Sequence, residues 1–138
     1  MAEEHKLRAQ VLTPEGEVFD GEVEQLSTRT AVGDIGIRAN HAPLIGRLVP
    51  AELRLHVSDS ETIRYAQAEG WLEVFANKAV VLIGEAIEPD ELDPSELKQR
   101  AEDAEARLGD ADEDSAAAEQ AERDKARAEA FLEVAENR

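Results

Sequence analysis

Short runs in which apolar and polar side chains alternate fill most of residues 6–87. Alternation with a period of two is typical of β-strands that bury one face. The apolar positions of these runs are Leu7, Ala9 and Val11; Leu53, Leu55 and Val57; Ile63 and Tyr65; and Leu72 and Val74. Turn-forming residues separate the runs, at 13–16, 20–21, 33–34, 40–43, 59–60, 69–70 and 77–78. Many short strands at regular spacing predict an antiparallel β-sandwich or barrel.

Two segments do not follow this alternation. Residues 79–83 read AVVLI, and such a continuous apolar run predicts a strand that is buried on both faces. Residues 28–43 are rich in turn formers, and we expect Ile35, Ile37 and the neighbouring Leu44 to be exposed apolar residues. Loops on a rigid scaffold are common places for partner contacts, so this loop is a candidate binding segment.

The period changes to a helical one near residue 94. Asp93 can cap a first helix with Pro94 at its first position, Gly109 suits its end, and Ser115 can start a second helix that reaches about Asn137. The apolar positions are Leu97, Ala101, Ala104 and Leu108 in the first helix, and Ala117, Ala121, Ala128, Phe131, Leu132 and Ala135 in the second. The pattern therefore predicts an α+β chain: an antiparallel β-sandwich over 1–88 and an antiparallel two-helix hairpin over 89–138.

Alanine makes up most of the apolar seam of this hairpin. Because such a seam buries little area, it contributes little stability at about 25 cal/mol per Å². We therefore expect a hairpin that is weakly attached to the sandwich. Two alternatives stay open on this basis: an arm that rearranges and a fixed hairpin.

Charge separates the same two parts of the chain. Residues 1–84 hold 13 acidic and 8 basic side chains, whereas residues 85–138 hold 19 acidic and 7 basic ones. The net charge of −17 argues against nucleic acid, because phosphate binding needs a basic surface. The first residues show no secretory signal pattern, and the longest apolar stretch, 79–84, is far shorter than a membrane-spanning helix, so we expect a soluble cytoplasmic protein.

Candidate catalytic residues are few. The chain has no cysteine, and its histidines, His5, His41 and His56, do not show the spacing of metal ligands. No nucleophile elbow or glycine-rich phosphate loop is present in the sequence. These observations predict a protein without catalytic residues or a metal site, and they leave the loop around His41 and the acidic hairpin as the candidate binding regions.

Four segments of the chain resemble one known family. They are VLTPEGEVFDGEV at 11–23, VGDIGIRANHAPLI at 32–45, AEGWLEVFAN at 68–77 and VLIGEAI at 81–87. Their order and spacing resemble those of the epsilon subunits of F-type ATP synthases, which are called delta subunits in mitochondria. The resemblance covers most of residues 7–87 and is weaker in the helical part.

The resemblance implies a ten-stranded sandwich, a helical hairpin and a non-catalytic role in the rotor of a proton-translocating ATP synthase. The sandwich would bind the gamma subunit and the ring of c subunits, coupling ring rotation to ATP synthesis at the cytoplasmic face of a bacterial plasma membrane. By the same resemblance, Gly33, Asp34 and Ile35 would contact the c ring, and His41, Ala42, Pro43 and Leu44 would contact gamma. Membrane association would come through the complex alone.

Some members of the family bind ATP through a motif of the form (I/L)-D-x-x-R-A at the first helix. Leu92 and Asp93 match its first two positions, but Glu96 and Leu97 stand where the motif has Arg and Ala. A carboxylate repels a triphosphate, so we expect weak or absent ATP binding, with Asp93 and Arg100 as the remaining contacts, and no cofactor.

The hairpin of some members inhibits ATP hydrolysis by contacting catalytic beta subunits. Here residues 115–138 hold 4 basic and 6 acidic side chains, which does not favour an electrostatic contact with an acidic segment. We therefore expect modest inhibition, or inhibition through Phe131 and Leu132. Two further interpretations compete with the rotor role: a free-standing binding module that dimerises through its helices, and a sensor whose hairpin responds to a small ligand.

Overall fold

A computed structural model describes residues 5–137 of the chain. Ten strands are followed by a short 3-10 helix, Pro89–Glu91, and two α-helices. The strands are β1 Leu7–Thr13, β2 Gly16–Val23, β3 Gln25–Thr30, β4 Gly33–Arg38, β5 Leu44–Leu48, β6 Ala51–Ser58, β7 Glu61–Gln67, β8 Gly70–Phe75, β9 Lys78–Ile83 and β10 Ala86–Ile87. The helices are α1 Pro94–Asp110 and α2 Ala116–Glu136.

The strands form one continuous sheet in the order β10-β7-β6-β3-β5-β8-β9-β1-β2, with β4 paired to β3. Every pair is antiparallel except β1 with β9, where Arg8 to Leu12 run parallel to Lys78 to Leu82. The predicted fold class, a β-sandwich of about ten strands followed by a helical hairpin, is confirmed.

The core of the sandwich consists of the inward-facing residues of the strands, which alternate with outward-facing ones along each strand. Fully buried examples are Leu7, Val11, Leu26, Ile37, Leu53, Leu55, Leu72, Val74 and Val81. The expectation that Ile35, Ile37 and Leu44 are exposed was wrong. Ile37 is fully buried, and Ile35 and Leu44 pack half-buried against the core, because residues 33–38 and 44–48 form strands and not a loop.

Strand β9 buries only one of its faces within this chain. Ala79, Val81 and Ile83 point into the core, whereas Leu82 is 46% exposed and Val80 is half-buried. The prediction of a strand covered on both faces was therefore wrong for the chain alone. The helical hairpin lies elsewhere on the sheet: α2 packs against β6 and β7, and α1 packs against α2.

The helix starts follow the predicted capping residues. The Asp93 carboxylate accepts hydrogen bonds from the backbone N–H groups of Ser95 and Glu96, and the Ser115 hydroxyl accepts one from Ala118. Gly109 does not end α1, because the helix continues to Asp110 and Ala111 caps it in an extended conformation.

One apolar position of α2 was assigned to the wrong face. Ala118 and not Ala117 is buried against α1, so the seam is shifted by one residue at the start of the helix.

Larger side chains than alanine attach the hairpin to the sandwich. Leu92, Leu97, Phe131, Val134 and Ala135 form a second apolar cluster with two residues of the sandwich, Ala66 and Ala68. Ala104, Ala118, Ala121 and Ala128 are the small buried residues of the α1–α2 seam. The hairpin is therefore folded against strands β6 and β7, and its alanine seam is not what attaches it there.

Candidate functional site

The β3–β4 hairpin ends in a tip, residues 31–34, whose tight turn is formed by residues 31–32. Thr30 stabilises the turn, since its hydroxyl donates to the Gly33 carbonyl at 2.9 Å and accepts from the Val32 N–H at 3.2 Å. Gly33 has a φ of +134°, which side chains with a β-carbon rarely adopt. The turn therefore directly precedes the predicted turn residues 33–34, which are themselves part of β4.

Val32 projects almost completely into solvent at this tip, with 98% of its surface exposed. Asp34 lies just behind it and accepts a hydrogen bond from Arg29 Nε at 2.8 Å. Of the three residues predicted for c-ring contact, Gly33 and Asp34 are exposed, whereas Ile35 points towards the core. Sequence reasoning missed Val32 because it assigned the turn to 33–34.

Arg29 also lies near the C-terminal half of α2. A cleft of about 490 Å³ separates that half of the helix from β3, β4 and β6, with Arg29, Asp34, Glu52, Arg54 and Glu133 among its lining residues. The hydrogen bond and charge of Asp34, with a smaller contribution from Glu133, raise the pKa of Arg29 above the usual arginine value. The tip and the helical hairpin thus share one charged cleft.

The loop that contains His41 is held by backbone and side-chain hydrogen bonds. Asn40 adopts a left-handed conformation with φ of +62°, and the His41 N–H donates to the Arg38 carbonyl at 3.2 Å. His41 Nδ1 donates to the Ala42 carbonyl at 2.7 Å. The Asn77 side chain accepts from the Asn40 N–H at 2.8 Å, which ties this loop to the β8–β9 turn.

The four residues predicted for gamma contact remain together in this loop and the strand that follows. Ala42 and Pro43 are exposed, and His41 is partly exposed. Leu44 begins β5 and turns inward, but the next residue, Ile45, is 72% exposed. The loop therefore leads directly onto an apolar surface that sequence reasoning did not identify.

We call this surface the open face. It is the outer side of β5, β8 and β9 and consists of Ile45, Trp71, Phe75, Val80 and Leu82 with Glu73 among them. Trp71, Phe75 and Leu82 are 53%, 65% and 46% exposed. Scattered apolar residues are normal on surfaces, but a contiguous group of this kind marks an interaction site. The sequence did contain a signal for this surface. Trp71 and Phe75 are out of step with the buried Leu72 and Val74, so the two aromatic residues lie on the other side of the strand.

The tip and the His41 loop lie at opposite ends of β5. Leu44 begins the strand beside the loop, while Leu48 at the other end pairs with Thr30 at the base of the tip. Five residues of a strand span about 13 Å from first to last. The two predicted contact regions are therefore separate, and the open face extends sideways from the strand between them.

The residues predicted for nucleotide contact are not brought together. Arg100 lines a cleft of about 350 Å³ beside Arg107, Arg127 and Phe131, whereas Asp93 caps the start of α1 and is not among the lining residues. Each arginine of the cleft has an acidic neighbour. Arg100 pairs with Glu96, Arg107 with Asp124 at 3.0 Å, and Arg127 with Glu85 at 3.3 Å. Positive charge in this cleft is thus already neutralised within the chain.

Other kinds of site are not evident in residues 5–137. No described group of three or more His, Asp or Glu side chains has an arrangement that could hold a metal ion. Within the same part of the chain, no helix is both long and apolar enough to cross a membrane.

Comparison with known proteins places this architecture in a family. Residues 6–89 match the family described as ATP synthase, delta/epsilon chain, beta-sandwich domain. The ATP synthase epsilon chain of Persephonella marina is 42% identical over 127 residues, covering 91% of this chain and 93% of that protein. The epsilon chain of Sulfurihydrogenibium sp. is 35% identical over 128 residues, covering 93% and 96%.

A solved structure has the same fold. It is a chain in the cryo-EM structure of the Euglena gracilis mitochondrial ATP synthase F1/c-ring assembly, with a TM-score of 0.83 and 22% identity over 95% of this chain and 81% of that chain. This likeness concerns the fold, whereas the match of the sandwich and the identity to the two epsilon chains show the family. The protein belongs to the delta/epsilon chain family of ATP synthase subunits.

Proposed function

We propose that this chain is a non-catalytic rotor subunit of the central stalk, coupling rotation of the c ring through gamma to ATP synthesis. The main support for the proposal is that the two predicted contact regions lie at separate places on one stiff sandwich. The open face with the His41 loop would bind gamma, and the tip with Val32 and Asp34 would bind the c ring. The Euglena relative of the same fold was solved within an F1/c-ring assembly, which supports such partners.

The open face suits a permanent partner. Trp71 and Phe75 project from β8 and Ile45 from β5, and aromatic residues of this kind contribute much of the affinity at protein interfaces. A rotor part must also resist torque. A closely packed sandwich has a low compressibility, so contacts at its two ends stay in a fixed relation.

The tip suits a contact with polar loops of a ring. Its turn is braced by Thr30, and Asp34 is fixed by Arg29 while staying mostly exposed. In the complete enzyme, these contacts would hold the chain at the cytoplasmic face of the membrane. Membrane attachment would come through the ring, with proton flow as the driving reaction.

A pull-down with the gamma subunit of the same organism tests the proposal. Wild-type chain should bind gamma stably. His41→Ala should weaken this binding, whereas Asp34→Ala should leave gamma binding intact and weaken only assembly with the c ring. A folded wild-type chain that does not bind gamma would contradict the rotor role and favour a free-standing module, for which self-association through the helices is the expected behaviour.

The helical hairpin supplies a second candidate function, regulation of ATP hydrolysis. The apolar cluster that attaches the hairpin is separate from the main core. The hairpin can therefore detach while the sandwich stays folded. Once released, Phe131 and Leu132 would become available to catalytic beta subunits. Deleting residues 89–138 should then raise the ATPase activity of the reassembled complex only modestly, and a large rise would contradict weak inhibition.

A further inference from the structure

Glu73 stands at the centre of the open face. It lies on β8 directly opposite Ile45 of β5 and Val80 of β9. Trp71 and Phe75 are two residues away on the same strand and therefore point to the same side. Four apolar side chains thus adjoin one exposed carboxylate, and the cations Arg47 and Lys78 lie diagonally from it, opposite Trp71 and Phe75.

The Glu73 carboxylate has no hydrogen bond or ion pair with any residue in the described part of the chain. Asp20 of the same sheet, by contrast, is paired with Arg8 at 2.8 Å. In the free chain, water solvates the Glu73 carboxylate. A partner that covers the open face must displace this water, and an ionised carboxylate buried without a counter-charge strongly opposes binding.

The sign of this effect distinguishes two kinds of partner. A purely apolar partner surface would bind better if Glu73 were neutral, because no charge would then be desolvated. A partner that presents a lysine or arginine within an apolar patch would instead bind worse if Glu73 were neutral, because its own cation would lose its counter-charge. The chain's overall charge of −17 also favours approach of a basic surface.

We infer that Glu73 is the register-fixing contact of the open face and that its partner places one cationic side chain opposite it, inside an apolar patch. This inference rests on the proposed binding of gamma by the same face. A single charge pair ringed by Trp71, Phe75 and Ile45 allows one docking position, because a shifted partner would leave both charges buried and unpaired. Arg47, exposed beside Trp71 in the β5–β8 register, adds a site for an acidic group at the rim.

Binding measurements between this chain and purified gamma test the inference. Glu73→Gln keeps the shape of the side chain and removes its charge, and it should weaken binding about thirty-fold or more. Glu61→Gln is the matched control, since Glu61 is an exposed glutamate on β7, away from the open face, and it should bind as wild type does. Glu73→Lys should abolish binding, and changing the partner cation to glutamate should restore it.

The outcomes separate the inference from the function on which it rests. If wild type binds gamma and Glu73→Gln binds equally well or better, the partner surface is apolar at this point and the inference is wrong. If wild type does not bind gamma, or only self-associates through this face, the proposed function itself fails. Loss of affinity in Glu73→Gln that is matched by Glu61→Gln would indicate a general charge effect and would also overturn the inference.

Discussion

Gly70 lies against the backbone of Leu82, so closely that a β-carbon on Gly70 would be 1.9 Å from the Leu82 carbonyl oxygen. The same β-carbon would be 2.8 Å from the α-carbon of Ile83. Both neighbours are backbone atoms of β9 and cannot move aside as a flexible side chain would. The close approach of β8 and β9 at the start of the open face therefore requires glycine.

Gly70→Ala should lower the free energy of unfolding by about 3 kcal/mol, because the two strands would have to separate. Gly109→Ala is a control with the opposite sign. Gly109 lies in the last turn of α1 with open space around it, so alanine should raise the free energy of unfolding by at most about 0.5–1 kcal/mol. Urea unfolding measures both. Equal stability of Gly70→Ala and wild type would contradict the packing of β8 on β9.

Apolar contacts and not ion pairs should dominate the docking of the helical hairpin. Phe131 is 2% exposed, and Phe131→Ala should weaken the free energy of hairpin docking by about 3–5 kcal/mol. Arg127 pairs with Glu85 and Glu69, but its side chain is 41% exposed, so Arg127→Ala should weaken docking by at most about 1 kcal/mol.

Hydrogen exchange of the α2 amides measures hairpin release. Phe131→Ala should speed exchange by at least about a hundred-fold, and Arg127→Ala by less than about ten-fold. Phe75→Ala removes the same ring from the open face and should leave α2 unchanged. A larger effect from Arg127→Ala than from Phe131→Ala would show that charge holds the hairpin.

Glu52 should make stability depend on pH. Burial by itself raises the pKa of Glu52, but hydrogen bonds from Arg64 and Arg54 outweigh burial and leave the pKa below the usual glutamate value. A lowered pKa in the folded state means that the stabilisation is present above the unfolded-state pKa and is lost as the pH falls through the folded-state pKa. Arg64 also donates to the Asn137 carbonyl at 3.3 Å, so the pair supports the end of the hairpin.

Glu52→Gln should therefore be less stable than wild type at pH 7, and the difference should shrink below about pH 4.3, the ordinary glutamate pKa. Chemical unfolding at a series of pH values measures the difference. Glu61→Gln, at an exposed position, should show little difference from wild type throughout. A difference for Glu52→Gln that stays constant down to pH 2 would contradict the role of its charge.

ATP should bind weakly or not at all. Asp93 is occupied by the N-terminal N–H groups of α1, and Arg100, Arg107 and Arg127 already have carboxylate partners. Isothermal titration of the purified chain should detect no micromolar affinity. Micromolar binding would contradict this prediction and would favour the nucleotide-sensing interpretation, in which the hairpin compacts when nucleotide binds.

The sequence predicted those parts of the fold that depend on local patterns. Leu53 and Leu55 alternate with polar neighbours and are buried, and Asp93 and Ser115 cap the two helices through their own side chains. In each case the determining interaction lies within a few residues along the chain. The family resemblance added the strand number, which periodicity alone did not give.

Prediction failed where both faces of a strand are apolar. A run such as 79–83 has no polar residue to show that Val80 and Leu82 point outward, so the open face was not recognised. Gln67 shows the opposite difficulty, because it is fully buried although polar. Its side chain accepts from the Thr28 hydroxyl at 2.7 Å and donates to the Val49 carbonyl at 2.9 Å, and both partners are distant in sequence.

Hydrogen–deuterium exchange of this chain, free and assembled with gamma and the c ring, tests the central claim most directly. The rotor role predicts slower exchange in two regions on assembly: strands β5, β8 and β9 with the His41 loop, and the tip at residues 31–34. Strand β7, under the docked hairpin, should not change. Slower exchange confined to α1 and α2, with the open face and the tip unaffected, would contradict the rotor role.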